Sequence, residues 1–353
     1  MQNLVKNERL FRIVIPILAV LLGLLAGAII MLVSGYNPIL GYVSLFDGIV
    51  GDPYVFGETI RAMTPLILSG LAVAFAFRTG LFNIGVEGQL LVGWLASVWV
   101  GIAFDLPKII HLPLSILAAA LAGALWGFIP GLLKAKLKVH EVIVTIMMNY
   151  IALHVTNALI RSFLIVPGEK TANINASASL ASKNLMDLTE FSRLHYGIIV
   201  ALIGAMIMWF ILEKTTKGFE LRSVGYNQHA SQYAGMSVPK NIILAMSISG
   251  AFAGVAGAME GLGTYQYMTI NGGFTGQGFD GIAVALLGAN HALGIVFASL
   301  LFGGLKIGAL TMQSAALVPT ELVEIVIALI IFFVASSYII RWVFIRFSKE
   351  GKK

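Results

Sequence analysis

Two stretches of the chain each place a carboxylic acid directly before a glycine, at the start of an apolar run. Each stretch also carries a phenylalanine, whose face can stack on a flat ring, and a carboxamide, which donates and accepts hydrogen bonds. The side chains are Phe82, Asn83 and Glu87 in the first stretch and Gln277, Phe279 and Asp280 in the second. Because ionisable groups inside apolar segments are costly, they are candidates for function. These six residues are therefore the candidate set for contact with a solute.

The likeness of the two stretches suggests an internal repeat. Transporters are often built from repeats whose interrupted helices line the solute path. Chance similarity in a chain with 38 glycines is the alternative. Glu260 and Lys306 also fall in apolar segments, where we favour pairing that holds helices together. A catalytic pair would require Glu87 and Asp280 to approach each other, which one sequence does not show.

The composition indicates that these residues lie in a membrane-embedded helix bundle. Of the 353 residues, 58% are hydrophobic and 11% are charged, whereas a soluble domain has about 25% charged residues. An apolar run of about 20 residues can cross a bilayer as a helix. Such runs predict spans near residues 13–33, 59–77, 84–104, 113–133, 141–160, 196–212, 242–262, 292–312 and 321–344. A tenth, weaker span at 270–290 is interrupted by glycines.

The distribution of Lys and Arg supports the tenth span and places both chain ends in the cytoplasm. Cytoplasmic loops are richer in these residues than external loops. With ten spans and the N-terminus inside, 16 of the 23 Lys and Arg residues lie inside, six lie outside and Lys306 lies within a span. Nine spans would place the basic C-terminus outside. Orientation in the membrane thus explains the net charge of +6 without a nucleic-acid partner.

Several motifs for chemistry are absent from the sequence. The chain has no cysteine, which excludes disulfides and thiolate metal sites. It has no Gly-x-x-x-x-Gly-Lys-Ser/Thr phosphate loop, and His140-Glu141 lacks the second histidine of a zinc motif. We therefore predict that this chain binds no metal and no ATP and is not an enzyme.

Two polar segments interrupt the apolar pattern. Residues 161–195 fall on the external side of the membrane and are either a linker or a packed structure. Residues 213–241 fall on the cytoplasmic side. There Asn227 is a good N-cap and Gly235 a good C′ residue for a helix of about two turns.

The predicted short helix presents Ala230, Tyr233 and Ala234 on one face by helical spacing. One aromatic side chain flanked by small residues suits insertion into a groove on another protein. A surface helix that lies on its own bundle is the alternative, and spacing alone favours that alternative.

Four stretches of the sequence resemble a known family of permeases. Residues 222–237 resemble the cytoplasmic coupling segment of permeases for branched-chain amino acids, ribose and related sugars, and nucleosides. The family pattern is Arg-x-x-Gly-x-Asn-x-x-Ala-x-x-x-x-Gly, which this chain matches at Arg222, Gly225, Asn227, Ala230 and Gly235. Residues 78–89, 140–150 and 278–288 resemble the nucleoside-type branch. The resemblance covers about residues 60–340.

This resemblance implies that residues 1–353 form a single all-α transmembrane permease domain. The implied architecture is a polytopic bundle of about ten helices, some interrupted, like a type II importer driven by an ATP-binding cassette. Residues 161–195 would be an extracellular loop. Residues 213–241 would be the cytoplasmic coupling loop, which contacts the ATPase through the matched residues together with Tyr233 and Ala234.

The implied partners are a separate ATPase subunit that uses the ATP, a second and related permease, and an extracellular substrate-binding lipoprotein, all at the plasma membrane. The implied substrate is a nucleoside, whose base would stack on a phenylalanine and whose hydroxyls would bond carboxamides. A simple sugar or a branched-chain amino acid is the alternative substrate. A secondary transporter driven by ions through Glu87, Glu260 and Asp280 is the alternative mechanism.

Overall fold

The computed structural model describes residues 8–336. Within them, the helices are α1 (Glu8–Val33), α2 (Pro38–Val50), α3 (Pro53–Arg78), α4 (Val86–Ala103), α5 (Lys108–Leu137), α6 (Glu141–Leu159), α7 (Lys183–Leu188), α8 (Gly197–Lys214), α9 (Thr216–Tyr226), α10 (Gln228–Tyr233), α11 (Val238–Met259), α12 (Gln277–Leu287), α13 (Ala292–Ala316) and α14 (Thr320–Ala335). Wider π-helical turns extend α6 over Ile160–Leu164 and α11 over Glu260–Thr264. A 3₁₀ turn covers Ala176–Ala178, and β1 (Ile165–Val166) pairs antiparallel with β2 (Lys170–Thr171).

Seven helices in the described part of the chain are long and apolar enough to cross a membrane, namely α3, α4, α5, α6, α8, α11 and α13. Each overlaps a predicted span, so the helices predicted there are confirmed. The first predicted span corresponds to α1. The last predicted span, 321–344, overlaps α14, and its end lies outside the described residues, as does the basic C-terminus.

Within the predicted interrupted span at 270–290, only α12 is helical. Helix α12 has 11 residues, which gives it a length of about 16 Å at 1.5 Å per residue, against about 30 Å of hydrocarbon. The chain before α12 is non-helical because it contains Gly272, Gly273 and Gly276, the last with a φ of +81°. The sequence pattern also missed α2, a 13-residue apolar helix that begins at Pro38 after its N-cap Asn37.

The described chain divides into two compact units. One comprises the residues up to Thr59 together with those from Gly304 onward, and the other is Ile60–Gly303. In the first unit, α1 packs against α14 through glycines. A Cβ on Gly23 would lie 2.5 Å from Ile330 Cγ1, and one on Gly27 would lie 2.5 Å from Val326 Cγ2. These contacts bring the two helices close, as small residues do in membranes.

The core of the second unit is the packing of α11 between α4 and α5. A Cβ on Gly254 would collide with the backbone of Ala119, and a Cβ on Gly93 would collide with the backbone of Gly254. The sequence pattern of small residues on α11 predicts this close approach, and the structure confirms it. Large apolar side chains on α5 and α8 point outward, for example Leu125 at 67% exposure, as expected for a lipid-facing surface.

Residues 161–195 form a packed structure and not a linker. The amide of Thr171 donates to Met268 O at 2.9 Å, and the amide of Ile174 donates to Gln266 O at 2.9 Å. The amide of Leu180 donates to Leu262 O, also at 2.9 Å. These bonds fix the segment to the end of α11 and to the non-helical residues that follow α11.

Candidate functional site

Glu87 joins the two stretches that carry the candidate residues. Its Oε1 accepts hydrogen bonds from the amide of Thr275 at 2.6 Å, the hydroxyl of Thr275 at 2.7 Å and the amide of Gly276 at 3.0 Å. Its Oε2 accepts from the amide of Gly278 at 2.7 Å. The carboxylate is fully buried and therefore caps the N-terminus of α12, where amides lack helical partners and the helix dipole favours an acid.

The N-termini of α4 and α12 meet at this carboxylate. A Cβ on Gly278 would collide with the backbone of Glu87, so the first turns of the two helices touch. Asn149 on α6 fixes the α4 side of the junction. Its Oδ1 accepts from the amide of Gly88 at 2.8 Å, and its Nδ2 donates to Ile84 O at 3.0 Å. Backbone groups that lack a helical partner at the two helix starts are thus bonded by a side chain from another helix.

Asn83 is also fully buried and fully bonded. Its Nδ2 donates to Gln89 Oε1 at 2.9 Å and to Ser249 Oγ at 2.8 Å, and its Oδ1 accepts from the amide of Gly85 at 2.9 Å. Ser249 in turn donates to Ala72 O at 2.6 Å. Asn83 thus links the loop between α3 and α4 to α11 and α3.

Phe82 lies in the loop that follows the end of α3. It is half-buried, with its ring edge-on to Phe77 at 6.3 Å. These rings lie on the α3 side of the loop, whereas the aromatic residues of the second stretch pack on α6. The two phenylalanines of the candidate set therefore have different neighbours.

Gln277 connects α12 to the π turn at the end of α11. Its Nε2 donates to Glu260 Oε1 at 3.0 Å. Glu260 is buried, and Arg61 and Arg193 both act electrostatically on its carboxylate. A π turn that carries a buried acid is a common feature of functional sites. This contact agrees with the interpretation that Glu260 is paired and holds elements together.

Phe279 and Asp280 lie on the outer side of α12. Phe279 is 37% exposed and Asp280 is half-buried. The Phe279 ring is edge-on to Phe274 at 5.7 Å, and Phe274 is edge-on to Tyr150 at 5.0 Å. Phe274 and Tyr150 were missed by the repeat comparison because neither lies within the matched acid-glycine pattern. Contact of the six candidate residues with a solute stays a prediction.

The coupling segment contains two helices, and the predicted caps of the second are present. Asn227 Oδ1 accepts from the amide of Ala230 at 3.0 Å. Gly235 has a φ of +82° and its amide bonds Gln232 O, while the amide of Met236 bonds Ser231 O. This pair of bonds is a Schellman C-cap, which requires the left-handed conformation that glycine adopts readily.

Arg222 and Gly225 of the family pattern hold α9 on the bundle. Arg222 Nη1 lies 3.0 Å from Glu213 Oε2, and Arg78 Nη2 at the end of α3 lies 2.5 Å from Glu213 Oε1. A Cβ on Gly225 would lie 2.8 Å from the carbonyl carbon of Thr79. Only glycine permits this approach, so α9 lies directly against the turn that follows α3.

A second ion pair stabilises the other side of α9. Lys217 Nζ lies 2.6 Å from Glu220 Oε2, and Asn241 Nδ2 donates to the same oxygen at 3.2 Å. The hydrogen bond from Lys217 lowers the pKa of Glu220, and Asn241 adds to the effect. The pair therefore persists at neutral pH and links α9 to the start of α11.

The helix α10 projects from the bundle with one face uncovered. Tyr233 is 95% exposed and Tyr226 is 90% exposed, and Ala230 and Ala234 are also exposed. Of the six residues of α10, only Ser231 is buried, next to this face. We call Ala230, Tyr233 and Ala234 the α10 face. This face is available to another protein, and a surface helix without a partner stays the alternative.

Replacing Glu87 with Gln is expected to destabilise the chain. The Gln amide nitrogen would face backbone donors, leaving at least one buried amide unbonded at a cost on the order of 1–3 kcal/mol. The melting temperature of the purified protein in detergent should fall by a few degrees. Glu190→Gln, a matched change at an exposed acid, should leave it unchanged. Equal melting of Glu87→Gln and the wild type would refute the capping role.

Comparison with known proteins places the chain among transport proteins. A family model described as "Branched-chain amino acid transport system / permease component" matches residues 56–335. The guanosine ABC transporter permease protein NupP of Bacillus subtilis (strain 168) is 66% identical over 344 residues, which cover 98% of this chain and 99% of the relative.

Two further relatives are more distant. The glucose ABC transporter permease protein TsgB13 of Haloferax volcanii is 34% identical over 334 residues, which cover 91% of this chain and 87% of the relative. The guanosine ABC transporter permease protein NupQ of Bacillus subtilis (strain 168) is 31% identical over 252 residues, which cover 69% of this chain and 78% of the relative. No solved structure matches the chain.

The family match, the full-length relatives and the helices of spanning length agree with one another. The chain is a multi-pass membrane protein, and it belongs to the permease component family of the branched-chain amino acid transport system.

Proposed function

We propose that this chain is the permease subunit of an ATP-binding cassette importer and forms the path for a nucleoside. The observation that carries the proposal is the α10 face, a capped and exposed surface on a segment held to the bundle by the Arg222–Glu213–Arg78 ion pairs. Tyrosines are frequent anchors in protein interfaces. A rigid helix of this kind suits the transfer of movement from an ATPase that binds it.

The substrate class follows from the relatives. The relative named for guanosine is 66% identical over almost the whole chain, whereas the one named for glucose is 34% identical. A nucleoside also suits the aromatic side chains on α12 and α6, because a base can stack on them. A simple sugar and a branched-chain amino acid are the alternatives, and neither has an aromatic ring.

The proposed assembly contains four kinds of subunit. The chain itself binds no ATP, and a separate ATPase docks on the α10 face. A second, related permease completes the path, since Bacillus subtilis has two guanosine permeases that differ in sequence and this chain resembles one of them much more closely. A substrate-binding lipoprotein delivers the nucleoside to the external side.

The proposed topology has about ten crossings in the plasma membrane, as in type II importers, with both chain ends in the cytoplasm. The tenth crossing combines the non-helical residues after α11 with the half-length helix α12. Before α12, the amide of Ile270 bonds Glu169 O in the segment assigned outside. After α12, His291 lies near enough to Glu213 to act on it electrostatically. The chain therefore moves from one end of its unit to the other.

The hydrogen bonds of Glu87 disfavour its use as an ion site in the ion-coupled alternative, which also invokes Glu260 and Asp280. An ion-binding carboxylate needs a lone pair that an ion or a proton can reach. Both oxygens of Glu87 accept hydrogen bonds from residues 275–278, and the side chain is fully buried. The arrangement is that of a fixed link between helices.

Single cysteines should report the topology, because the chain has no native cysteine. Asn184→Cys is expected to react with an impermeant thiol reagent added to the external side of intact cells. Gln232→Cys and Ala289→Cys should react only when the cytoplasmic side is opened. All three positions are exposed. Reaction of Ala289→Cys from outside would show that α12 does not complete a crossing.

Replacing Ala230 with Arg should uncouple the chain from its ATPase. The change adds bulk and charge to the α10 face but lies outside the bilayer, so the chain should still insert and fold. Co-purification of the ATPase and nucleoside uptake should fall together, by about tenfold or more if a central interface position loses more than about 1.4 kcal/mol.

Gln232→Arg is the matched control, because it adds the same charge on another side of α10 by helical spacing. It should retain most of the association and uptake. If Ala230→Arg binds the ATPase and transports like the wild type, the α10 face is not the coupling surface.

A further inference from the structure

Helix α6 carries a line of polar side chains along one face of a membrane-spanning segment. Tyr150, His154, Asn157 and Arg161 recur at helical spacing. Tyr150, His154 and Arg161 are exposed, and Asn157 is half-buried. Ionisable side chains within spanning helices almost always face protein or a water-filled cavity. Lipid is therefore a poor neighbour for this face.

A cavity of about 620 Å³ lies along the same face. Its walls include His154, Asn157 and Arg161 from α6, Glu169 from the outer segment, and Asn271. The volume is within the range of small-molecule sites, roughly 300–1,000 Å³. Six of its ten lining residues have polar side chains, which suits a solute with several hydroxyls.

The cavity wall is held in place by the side chain of Asn157. Its Nδ2 donates to Asn271 O at 2.8 Å, and its Oδ1 accepts from the amide of Asn271 at 3.0 Å. The non-helical segment before α12 is thereby fixed to α6. The Nδ2 of Asn271 is buried and has no hydrogen-bond acceptor, so a donor is available at the edge of the cavity after a small rotation.

An aromatic group continues this face beyond the cavity. Tyr150 lies one helical turn before His154, and its ring packs against Phe274, which packs against Phe279. Tyr150 is 51% exposed and Phe279 is 37% exposed. Phe274 lies between these two rings, so each of them offers a separate exposed surface to a flat ring. Polar groups and stacking surfaces lie side by side, as the two halves of a nucleoside require.

We propose that this face of α6 and α12 is a nucleoside-binding stretch of the permease path. The base stacks on Tyr150, at the end of the aromatic row that continues to Phe274 and Phe279, and the sugar hydroxyls bond the polar side chains of the cavity. The proposal rests on the proposed function and refines it. It assigns stacking to Tyr150 on α6 in place of Phe82, the phenylalanine of the first stretch, which packs on Phe77.

Cysteine accessibility tests whether the face is wet and occupied by substrate. In the assembled transporter, His154→Cys should react with a charged thiol reagent, and guanosine should slow the reaction several-fold while ribose does not. Phe210→Cys, at a 55% exposed aromatic position on α8, should not react. Failure of His154→Cys to react would mean that lipid or the second permease covers this face, which overturns the proposal.

Substitution of Tyr150 tests the stacking surface. Tyr150→Ala should lower guanosine uptake about tenfold at equal assembly, which is within the effect of losing one stacking ring. Tyr150→Phe, which keeps the ring, and Phe210→Ala, the matched control, should transport normally. If Tyr150→Ala instead loses the second permease on purification, the residue is an interface contact and the proposal is wrong.

The two proposals fail in different ways. If the wild-type transporter takes up no nucleoside, the proposed function is wrong. If the wild type takes up guanosine and Tyr150→Ala transports it equally well, only this binding stretch is wrong.

Discussion

The structure of the unit Ile60–Gly303 depends on one buried carboxylate. Two helices begin inside the bundle, and a helix that begins there exposes backbone amides with no water to bond them. Glu87 lies on the first turn of one and accepts the terminal amides of the other. Asn149 accepts a hydrogen bond from the amide of Gly88 at the start of α4, and Asn83 accepts one from the amide of Gly85 just before it. Without these acceptors, the non-helical segment before α12 would have no stable position. The candidate path exists because the interruption of the helices is satisfied in this way.

The same junction lies close in sequence to the turn after α3, which contacts the proposed coupling segment. Helix α9 is held against the end of α3 by Arg222, Glu213 and Arg78, and Gly225 touches the turn after Arg78. Nine residues further on, Glu87 holds the N-terminus of α12. A displacement of the α10 face would therefore act on α9, then on the turn after α3, and then on the half-length helix beside the proposed nucleoside stretch. The connection consists of ion pairs and close backbone contacts, which transmit movement because they cannot deform much.

The sequence was informative where one physical rule dominated. Apolar runs predicted the long helices, and the cap residues Asn227 and Gly235 predicted α10, because caps depend on local chemistry. At 270–290 the sequence predicts an interruption by glycines, but it does not show that a distant carboxylate bonds the amides at the start of α12. Thr275, whose amide donates to Glu87, lies 188 residues further along the chain. A local sequence pattern does not reveal a contact over that separation. Tyr150 was likewise not singled out from the sequence, since its contact with Phe274 joins segments that are far apart in the chain. Residues whose contacts join distant segments of the chain could be identified only from the structure.

We propose that this chain supplies the path for the solute and that a partner ATPase supplies the energy for transport. The most direct measurement is guanosine uptake into proteoliposomes that contain this chain, the second permease and the ATPase, with the binding protein outside. With ATP enclosed on the ATPase side and all ion gradients collapsed by ionophores, uptake should proceed, and it should stop when ATP is omitted. Uptake that continues without ATP but requires a proton or sodium gradient would contradict the account.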